Sequence, residues 1–268
     1  KKKISKPLIR KGGILIETTW PEALDYAAEK LANYKNGDYA IVASDRGTNE
    51  DNFVAQKFAR QVMESPNVDV ASNTNPELVE PLESMIGIQA TTSRTWELLD
   101  SKCILVVSSN ITEDQNVASV PIKQAVAKGA KLIVVDQRET ELTRYSDIWL
   151  RPKLNSESHL IGGMIRTILD ESLEDHEFST KHCQGFTELR NSIWDFDLIT
   201  ISESTGLSQD SIREAARLFA TSDASSILYS LDTIDRKLQP KTVESLVDLI
   251  LLTGNIGKPS AGLYPLFS

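Results

Sequence analysis

The chain alternates short apolar runs with segments whose apolar residues recur at helical spacing. The clearest runs are Cys103–Val107 and Leu132–Val135, and each is typical of a strand that is buried on both faces of a sheet. Between them, residues 117–127 predict a helix that ends at Lys128-Gly129. Strand, helix and strand in this order predict a βαβ unit with parallel strands.

The same alternation extends over the rest of the chain. Near its beginning, the pattern predicts a helix that starts at Thr19-Trp20-Pro21, because Pro favours the first helical turn. Further strands and helices are predicted at residues 39–44, 49–63, 68–70, 148–150, 158–169, 208–220, 226–230 and 243–253. Strands that alternate with helices are typical of an α/β protein with a mostly parallel sheet.

Composition and charge exclude several classes of protein. The 268 residues carry 29 Lys and Arg against 38 Asp and Glu, a net charge of −9, which argues against binding nucleic acid through its phosphates. The length allows one or two domains with cores of their own. No apolar run is long enough for a membrane span. The two cysteines cannot form a disulfide framework, so a reducing, cytoplasmic setting is expected.

Known catalytic motifs are absent from the sequence. The loop after Val107 contains no glycine, so it is not the G-x-G-x-x-G turn of a dinucleotide site. The phosphate-binding G-x-x-x-x-G-K-[ST], the zinc-binding H-E-x-x-H and the hydrolase G-x-S-x-G are also missing. The residues alone therefore predict no catalytic residue and no metal ligand.

The polar loops at the predicted strand ends are the remaining candidates for a site. These loops comprise residues 44–49, 108–113 and 136–140. In open α/β sheets, ligands bind outside the carboxyl ends of the strands. The amide, hydroxyl, carboxylate and guanidinium groups of these loops suit a nucleotide-like ligand. Simple capping of the loops by Asn110 and Asp136 explains the same residues equally well.

Several segments together resemble a known family. Residues 104–113 are similar to I-L-V-x-G-S-N-x-T-E, residues 128–138 to K-G-A-K-L-I-V-V-D-P-R, and residues 251–259 to L-L-T-G-N-I-G-K-P. Residues 20–24 and 48–52 resemble the elements W-x-E-A-L and T-N-E-E-N. In this order they resemble the molybdopterin oxidoreductase family, and within it a central part of the formate dehydrogenase alpha subunit. The large iron–sulfur subunit of NADH–quinone oxidoreductase is a related second match.

The resemblance implies a fold and a division into domains. The fold is α/β, with two doubly wound, mostly parallel-sheet domains of the molybdopterin oxidoreductase type. Residues 1–88 and 222–268 are expected to form one discontinuous domain, which is incomplete here and continues in the parent protein. Residues 89–221 are expected to form the second, nucleotide-binding-like domain.

The resemblance also implies a cofactor, bis(molybdopterin guanine dinucleotide) with molybdenum or tungsten. Glu157 stands where the family has the acid of a P-G-T-D turn that can meet guanine N–H groups. The residues predicted to bind the cofactor are Ser109, Asn110, Glu113, Asp136, Arg138, Glu157, Gly254 and Asn255. The expected partners are the iron–sulfur domain (with its 4Fe-4S cluster outside this chain) and the C-terminal cap domain of the same parent, with electron-transfer subunits. Neither nucleic acid nor a membrane span is expected.

The sequence departs from the family at the metal ligand, which is a Cys or selenocysteine expected just after Asn67-Val68-Asp69. Residues 70–76 contain no Cys, and Ser72 supplies the nearest hydroxyl. Two hypotheses follow. In one, the parent oxidises formate with the cofactor bound here, although the chain by itself is inactive. In the other, the chain is a non-catalytic electron-transfer scaffold with a degenerate pterin site. A small nucleotide- or sugar-binding module is a third class.

Overall fold

The computed structural model describes residues 4–35, 37–44, 47–71, 75–194 and 197–267. The chain divides between residues 73 and 74 into two compact units. The N-terminal unit contains β1 (Leu8–Lys11), β2 (Ile14–Glu17), α1 (Trp20–Leu31), β3 (Ile41–Ser44), α2 (Asn49–Lys57) and β4 (Val68–Ala71). Strands β1 and β2 form an antiparallel hairpin, and β3 and β4 pair in parallel around α2.

Local sequence explains where the elements of the N-terminal unit begin. Thr19 caps α1, since its side chain accepts a hydrogen bond from the backbone of Glu22. Thr48 and Asp51 form a reciprocal capping box at the start of α2. The predicted helix at residues 20–31 and the predicted strand–helix–strand unit after it are confirmed. The described apolar side chains of this unit stay mostly exposed, so its core is small.

The C-terminal unit is built around one parallel sheet. Its strands are β5 (Cys103–Val107), β6 (Lys131–Val135), β7 (Ile148–Leu150), β8 (Ser225–Tyr229) and β9 (Gly262–Pro265). Within the described residues the strand order is β7-β6-β5-β8-β9, and every neighbouring pair is parallel. From β5 the chain adds β6 and β7 on one side, and then returns to add β8 and β9 on the other side. This is the doubly wound arrangement.

Helices cover both faces of this sheet. They are α3 (Glu80–Ile86), α4 (Ile111–Asp114), α5 (Asn116–Ala127), α6 (Glu157–Asp170), α7 (His176–His182), α8 (Phe186–Trp194), α9 (Leu198–Thr205), α10 (Gln209–Ala220) and α11 (Gln239–Leu252). Alternate residues of β5 enter two separate apolar cores. Leu105 packs in the core that holds α6, α10 and α11, whereas Ile104 packs in the core that holds α5. This confirms the predicted α/β class with a parallel sheet.

The structure divides the chain differently from the predicted domains. Residues 222–268 were expected to join residues 1–88, but their strands β8 and β9 continue the sheet of β5, β6 and β7. The compact unit starts at residue 74, not at residue 89. The physical reason is the register of β8, which pairs with β5 along its whole length, from Cys103 opposite Ser225 to Val107 opposite Tyr229.

Candidate functional site

The carboxyl edge of the five-stranded sheet brings four polar loops together. The chain leaves β5 at Ser108, β6 at Asp136, β7 toward the start of α6 at Glu157, and β8 at Ser230. Strands β5 and β8 are neighbours. The connection after β5 leads to β6 on one side of the pair, whereas the connection after β8 leads to β9 on the other side. In doubly wound sheets the ligand-binding crevice lies at such a switch point, because the two chain segments separate there.

Hydrogen bonds tie these loops to one another. The Ser230 hydroxyl donates to the backbone oxygen of Ser108 at 2.9 Å, and the backbone N–H of Asp232 donates to the same oxygen at 3.3 Å. The side-chain oxygen of Asn155 accepts from the backbone of Asp235 at 2.8 Å. The loops after β5, β7 and β8 therefore form one connected rim.

Arg138 lies between two carboxylates on this rim. Its Nε and Nη2 donate to Asp136 at 3.1 and 2.9 Å, and its Nη1 donates to Asp232 at 3.1 Å. The Asp136 side chain is 1% exposed, so this ion pair is shielded from water on one side. Hydrogen bonding to Asp136 is the main reason that the pKa of Arg138 is raised.

Glu157 and Ser108 supply unused polar atoms in the same region. Glu157 is 1% exposed, and neither its Oε2 nor the Ser108 hydroxyl has a hydrogen-bond partner among the described residues. Burial raises the pKa of Glu157, the charge of Asp136 adds to this effect, and its own backbone N–H opposes it. A buried carboxylate oxygen without a donor is costly, unless a ligand supplies one.

The backbone is strained where these loops leave the strands. Ser108 has φ +44° and Leu231 has φ +55°, a region that side chains with a Cβ rarely adopt. Asn155 has φ +65°, which Asn tolerates better. Backbone strain of this kind concentrates at ligand sites, where the surrounding structure enforces it.

Of the eight predicted site residues, six lie at this carboxyl edge. Asp136, Arg138 and Glu157 are those described above. Ser109 is buried directly after β5, Asn110 is half-buried, and Glu113 is exposed in the short helix α4. The third predicted loop, at residues 44–49, belongs to the N-terminal unit, and its Asp45 and Arg46 lie outside the described residues.

The other two predicted residues, Gly254 and Asn255, lie at the opposite edge of the sheet. The Asn255 Oδ1 accepts from the backbone N–H of Ser225, the first residue of β8. Its Nδ2 donates to the backbone and the hydroxyl oxygen of Thr253. A five-residue strand is about 15 Å long, so the structure does not bring these residues into the crevice. Their hydrogen bonds stabilise the turn between α11 and β9.

Sequence reasoning missed Asp232, and it included Ser108 only as part of the candidate loop at residues 108–113. Asp232 is 94 residues from Arg138 along the chain, so their ion pair depends on β8 lying beside β5. Ser108 directly precedes the predicted Ser109. Its position as the first residue after a buried strand was the available signal, since ligands bind at that point in doubly wound sheets.

Groups that could hold a metal ion are not apparent in the described part of the chain. No three His, Cys, Asp or Glu side chains lie close enough together there. Ser72, the hydroxyl nearest to the expected metal ligand, lies outside the described residues. Burial raises the pKa of the Cys103 thiol to about 12, so this cysteine stays protonated and is a poor ligand. Within the same described residues, no helix is both long and apolar enough to cross a membrane.

An open parallel sheet with helices on both faces and polar loops at its switch point defines a doubly wound α/β domain. The sequence profile described as "Molybdopterin oxidoreductase" matches residues 3–266. The chain belongs to the molybdopterin oxidoreductase family, which confirms the interpretation of its motifs.

Individual relatives agree with this assignment. The chain is 33% identical over 265 residues to the F420-dependent formate dehydrogenase 1 subunit alpha of Methanococcus maripaludis, with 98% of this chain and 39% of that subunit covered. It is 34% identical over 271 residues to formate dehydrogenase H of Escherichia coli, with 98% and 38% covered. The chain thus spans about two-fifths of the length of these relatives.

A solved structure supports the fold. Acetylene hydratase from Pelobacter acetylenicus superimposes with a TM-score of 0.67 at 27% sequence identity. The match covers 93% of this chain and 34% of that chain. The likeness therefore includes nearly all of this chain and about a third of that enzyme.

Proposed function

We propose that this chain is the part of a formate dehydrogenase-type oxidoreductase that binds a guanine nucleotide portion of the molybdopterin cofactor. The observation that carries the proposal is the buried, unpaired oxygen of Glu157 beside the unpaired hydroxyl of Ser108. Both lie at the switch-point edge, where doubly wound sheets bind nucleotides. The relatives named formate dehydrogenase supply the reaction type that is proposed for the whole protein.

The chemistry of guanine matches the groups that are present. The guanine base carries two neighbouring donors, the N1–H and the N2–H groups, and a carboxylate can accept from both. Adenine lacks this pair of donors, so Glu157 would select guanine. The Ser108 hydroxyl can donate or accept, which allows it to complete the contact. Asp136 and Arg138 would lie beside the ribose and phosphate groups of the bound nucleotide.

The same residues suit the guanine end of the larger cofactor. When bound, bis(molybdopterin guanine dinucleotide) with molybdenum or tungsten would supply the redox centre for formate oxidation. This chain's own residues would hold the guanine end and keep water from it, because Ser109, Asp136 and Glu157 are buried. The proposed partners are the iron–sulfur and C-terminal cap domains of the same protein, together with electron-transfer subunits.

The guanine contact can be tested by calorimetric titration of the chain with guanosine and adenosine. We expect guanosine to bind and adenosine not to bind. Glu157→Gln should weaken guanosine binding about tenfold, or about 1.4 kcal/mol, because one charge-assisted acceptor becomes an amide. Glu203→Gln, an exposed carboxyl on α9, is the matched control and should bind like wild type. Equal affinity in all three proteins would contradict the contact.

The raised pKa of Glu157 gives a second readout. Guanine donors favour the ionised carboxylate, so binding should release a proton wherever the free chain still holds it. Guanosine affinity should therefore fall as the pH is lowered through this pKa. Titrations in two buffers with different ionisation enthalpies measure the released proton, and Glu157→Gln should abolish it. Proton release that is unchanged in this variant would assign it to another group.

The cofactor itself can be tested on the natural protein, purified without oxygen. Molybdenum and tungsten are measured by mass spectrometry together with the guanine nucleotide that is released on denaturation. Metal accompanied by guanine nucleotide would support the cofactor-bearing oxidoreductase. Absence of both would support the electron-transfer scaffold in its place.

A further inference from the structure

The Arg138 guanidinium is shared by two carboxylates that come from different strands. Asp136 follows β6 and Asp232 follows β8. Asp136 receives the Nε and one Nη2 hydrogen at 3.1 and 2.9 Å, and Asp232 receives Nη1 and Nη2 at 3.1 and 3.4 Å. Four of the five guanidinium donors are thereby engaged. In this arrangement the cation has little capacity left for an incoming anion.

The two carboxylates are held unequally. The Asp136 side chain is 1% exposed, and it also accepts from the backbone N–H of Arg138 at 2.8 Å. The Asp232 side chain is 24% exposed, and it makes the longer bonds to Arg138. Asp136 is therefore the fixed partner of the guanidinium, and Asp232 is the replaceable one.

A second contact fixes the direction of the Asp232 carboxylate. The Ser230 hydroxyl lies 2.8 Å from Asp232 Oδ1 and also contacts the backbone oxygen of Ser108, so these two acceptors share its single hydrogen. The residue between them, Leu231, is buried with φ +55°. The loop after β8 is thus built so that its carboxylate meets Arg138 across the crevice.

The charge balance opposes a phosphate in this state. Asp136 and Asp232 together place two negative charges against the single positive charge of Arg138. A phosphate group that approached Arg138 would meet the repulsion of Asp232, unless that carboxylate moved away. The planar guanidinium of arginine binds two oxygens of either a carboxylate or a phosphate, so these groups compete for the same donors.

We propose that Asp232 competes with phosphate for Arg138 and thereby sets how strongly the crevice binds the phosphate-bearing part of a nucleotide. This inference rests on the proposed function, because it assigns the phosphate subsite of the same crevice. Asp232 acts on specificity: it lowers the affinity for charged nucleotides and leaves the affinity for the uncharged nucleoside unchanged. Tight binding of a diphosphate then requires Arg138 to exchange Asp232 for the ligand.

The test uses guanosine and guanosine diphosphate as the two probes, titrated into the full chain at physiological ionic strength. Asp232→Asn should bind the diphosphate about tenfold more tightly than wild type, because the competing charge is removed. Its affinity for guanosine should stay within about twofold. Asp232→Glu, which keeps the charge, should behave like wild type.

Asp100→Asn is the matched control for net charge. Asp100 is exposed, lies before β5 at the amino edge and pairs with Lys128 at 3.5 Å. Its replacement changes the charge of the chain by the same amount as Asp232→Asn, and it should leave both affinities unchanged. If the thermal unfolding midpoint of Asp232→Asn is below that of wild type, Asp232→Ser is tested in its place by the same criteria.

The outcomes separate this inference from the proposed function. Tighter diphosphate binding in Asp232→Asn, with unchanged guanosine binding, supports the competition. If both probes bind wild type but the variant changes neither affinity, or changes both equally, the competition is overturned and the guanine contact stands. If neither probe binds wild type or any variant, the proposed function fails, and this inference fails with it.

Discussion

The two edges of the five-stranded sheet both bury polar side chains, but they use them differently. At the amino edge, Asn255 and Ser226 direct their polar atoms to partners within the fold. At the carboxyl edge, Ser108 and Glu157 keep buried oxygens without a partner among the described residues. Among these four residues, Asn255 and Ser226 hold the fold together, whereas Ser108 and Glu157 keep oxygens available for a ligand.

Residues with positive φ occur at both edges of the sheet. Ser108 and Leu231 have positive φ at the carboxyl edge, and a non-glycine residue at such φ is unfavourable. The amino edge places Gly254 at φ +60°, where glycine is the natural choice. A Cβ there would also meet the Asp175 carboxylate at 2.5 Å. Ser260, which precedes β9 at the amino edge, also has a positive φ of +61°, so backbone strain alone does not distinguish the two edges.

The largest expected effect is at the amino edge. Asn255→Ala leaves the buried N–H of Ser225 without an acceptor and removes both bonds to Thr253. We expect the free energy of unfolding to fall by about 3 kcal/mol, measured by urea denaturation. Guanosine affinity should not change, because the crevice lies at the other edge.

Asn110→Ala is the matched control at the carboxyl edge. Asn110 is half-buried, and its side chain accepts one bond, from Thr112 at 3.4 Å. We expect this variant to lose less than about 1 kcal/mol. Equal losses in the two variants would remove the distinction between the edges.

A smaller effect is expected at Asp248, which lies on α11 toward the amino edge. Burial raises the pKa of Asp248 to about 6 from 3.8, and the charge of Glu244 adds to this. Because the folded chain holds this proton more tightly than the unfolded chain, stability falls as the pH rises from about 4 to about 6. Asp248→Asn should therefore raise the free energy of unfolding at pH 7 by about 1–2 kcal/mol.

The pH dependence distinguishes this explanation from improved packing. The advantage of Asp248→Asn over wild type should shrink as the pH falls below about 6, since wild type is then protonated as well. Glu203→Gln is the control and should show no such dependence. If the stability advantage of Asp248→Asn over wild type is constant from pH 5 to pH 8, ionisation of Asp248 does not destabilise the folded chain.

Much of this fold could be predicted, because its central strands are continuous apolar runs. β5 and β6 were identified from Cys103–Val107 and Leu132–Val135, and the loops after them contain five of the six predicted site residues that lie at this edge. The short helices α7, α8 and α9 gave no usable pattern, since each buries three residues or fewer. Periodicity needs a long buried stripe to be recognised.

The rest of the site depends on the order of the strands, which local pattern does not determine. Asp232 meets Arg138 because β8 inserts beside β5, and no local signal connects residues that far apart. For the same reason, residues 222–268 belong to the sheet formed by residues 103–150 and not to the predicted discontinuous domain. Gly254 and Asn255 were assigned to the cofactor from a motif, but a motif does not specify at which edge of a sheet it will lie.

The smallest expected effect tests the comparison most directly, because it concerns one hydroxyl at each edge. Ser226 at the amino edge accepts from the Ser101 hydroxyl at 3.0 Å and donates to the backbone of Ser260. Ser226→Ala should therefore lower the free energy of unfolding by about 1 kcal/mol. Ser108→Ala removes a buried hydroxyl that has no partner among the described residues, so it should raise the free energy of unfolding by about 1 kcal/mol.

The same pair should separate stability from binding. Ser108→Ala should weaken guanosine binding severalfold, because the hydroxyl beside Glu157 is lost, whereas Ser226→Ala should bind like wild type. The comparison is supported if urea denaturation shows that Ser108→Ala raises and Ser226→Ala lowers the free energy of unfolding, and if only Ser108→Ala weakens guanosine binding. The polar groups of the carboxyl edge would then reduce stability and contribute to ligand binding. If both variants lose stability and neither loses affinity, the Ser108 hydroxyl has a structural partner in solution, and the two edges do not differ in the way that their contacts indicate.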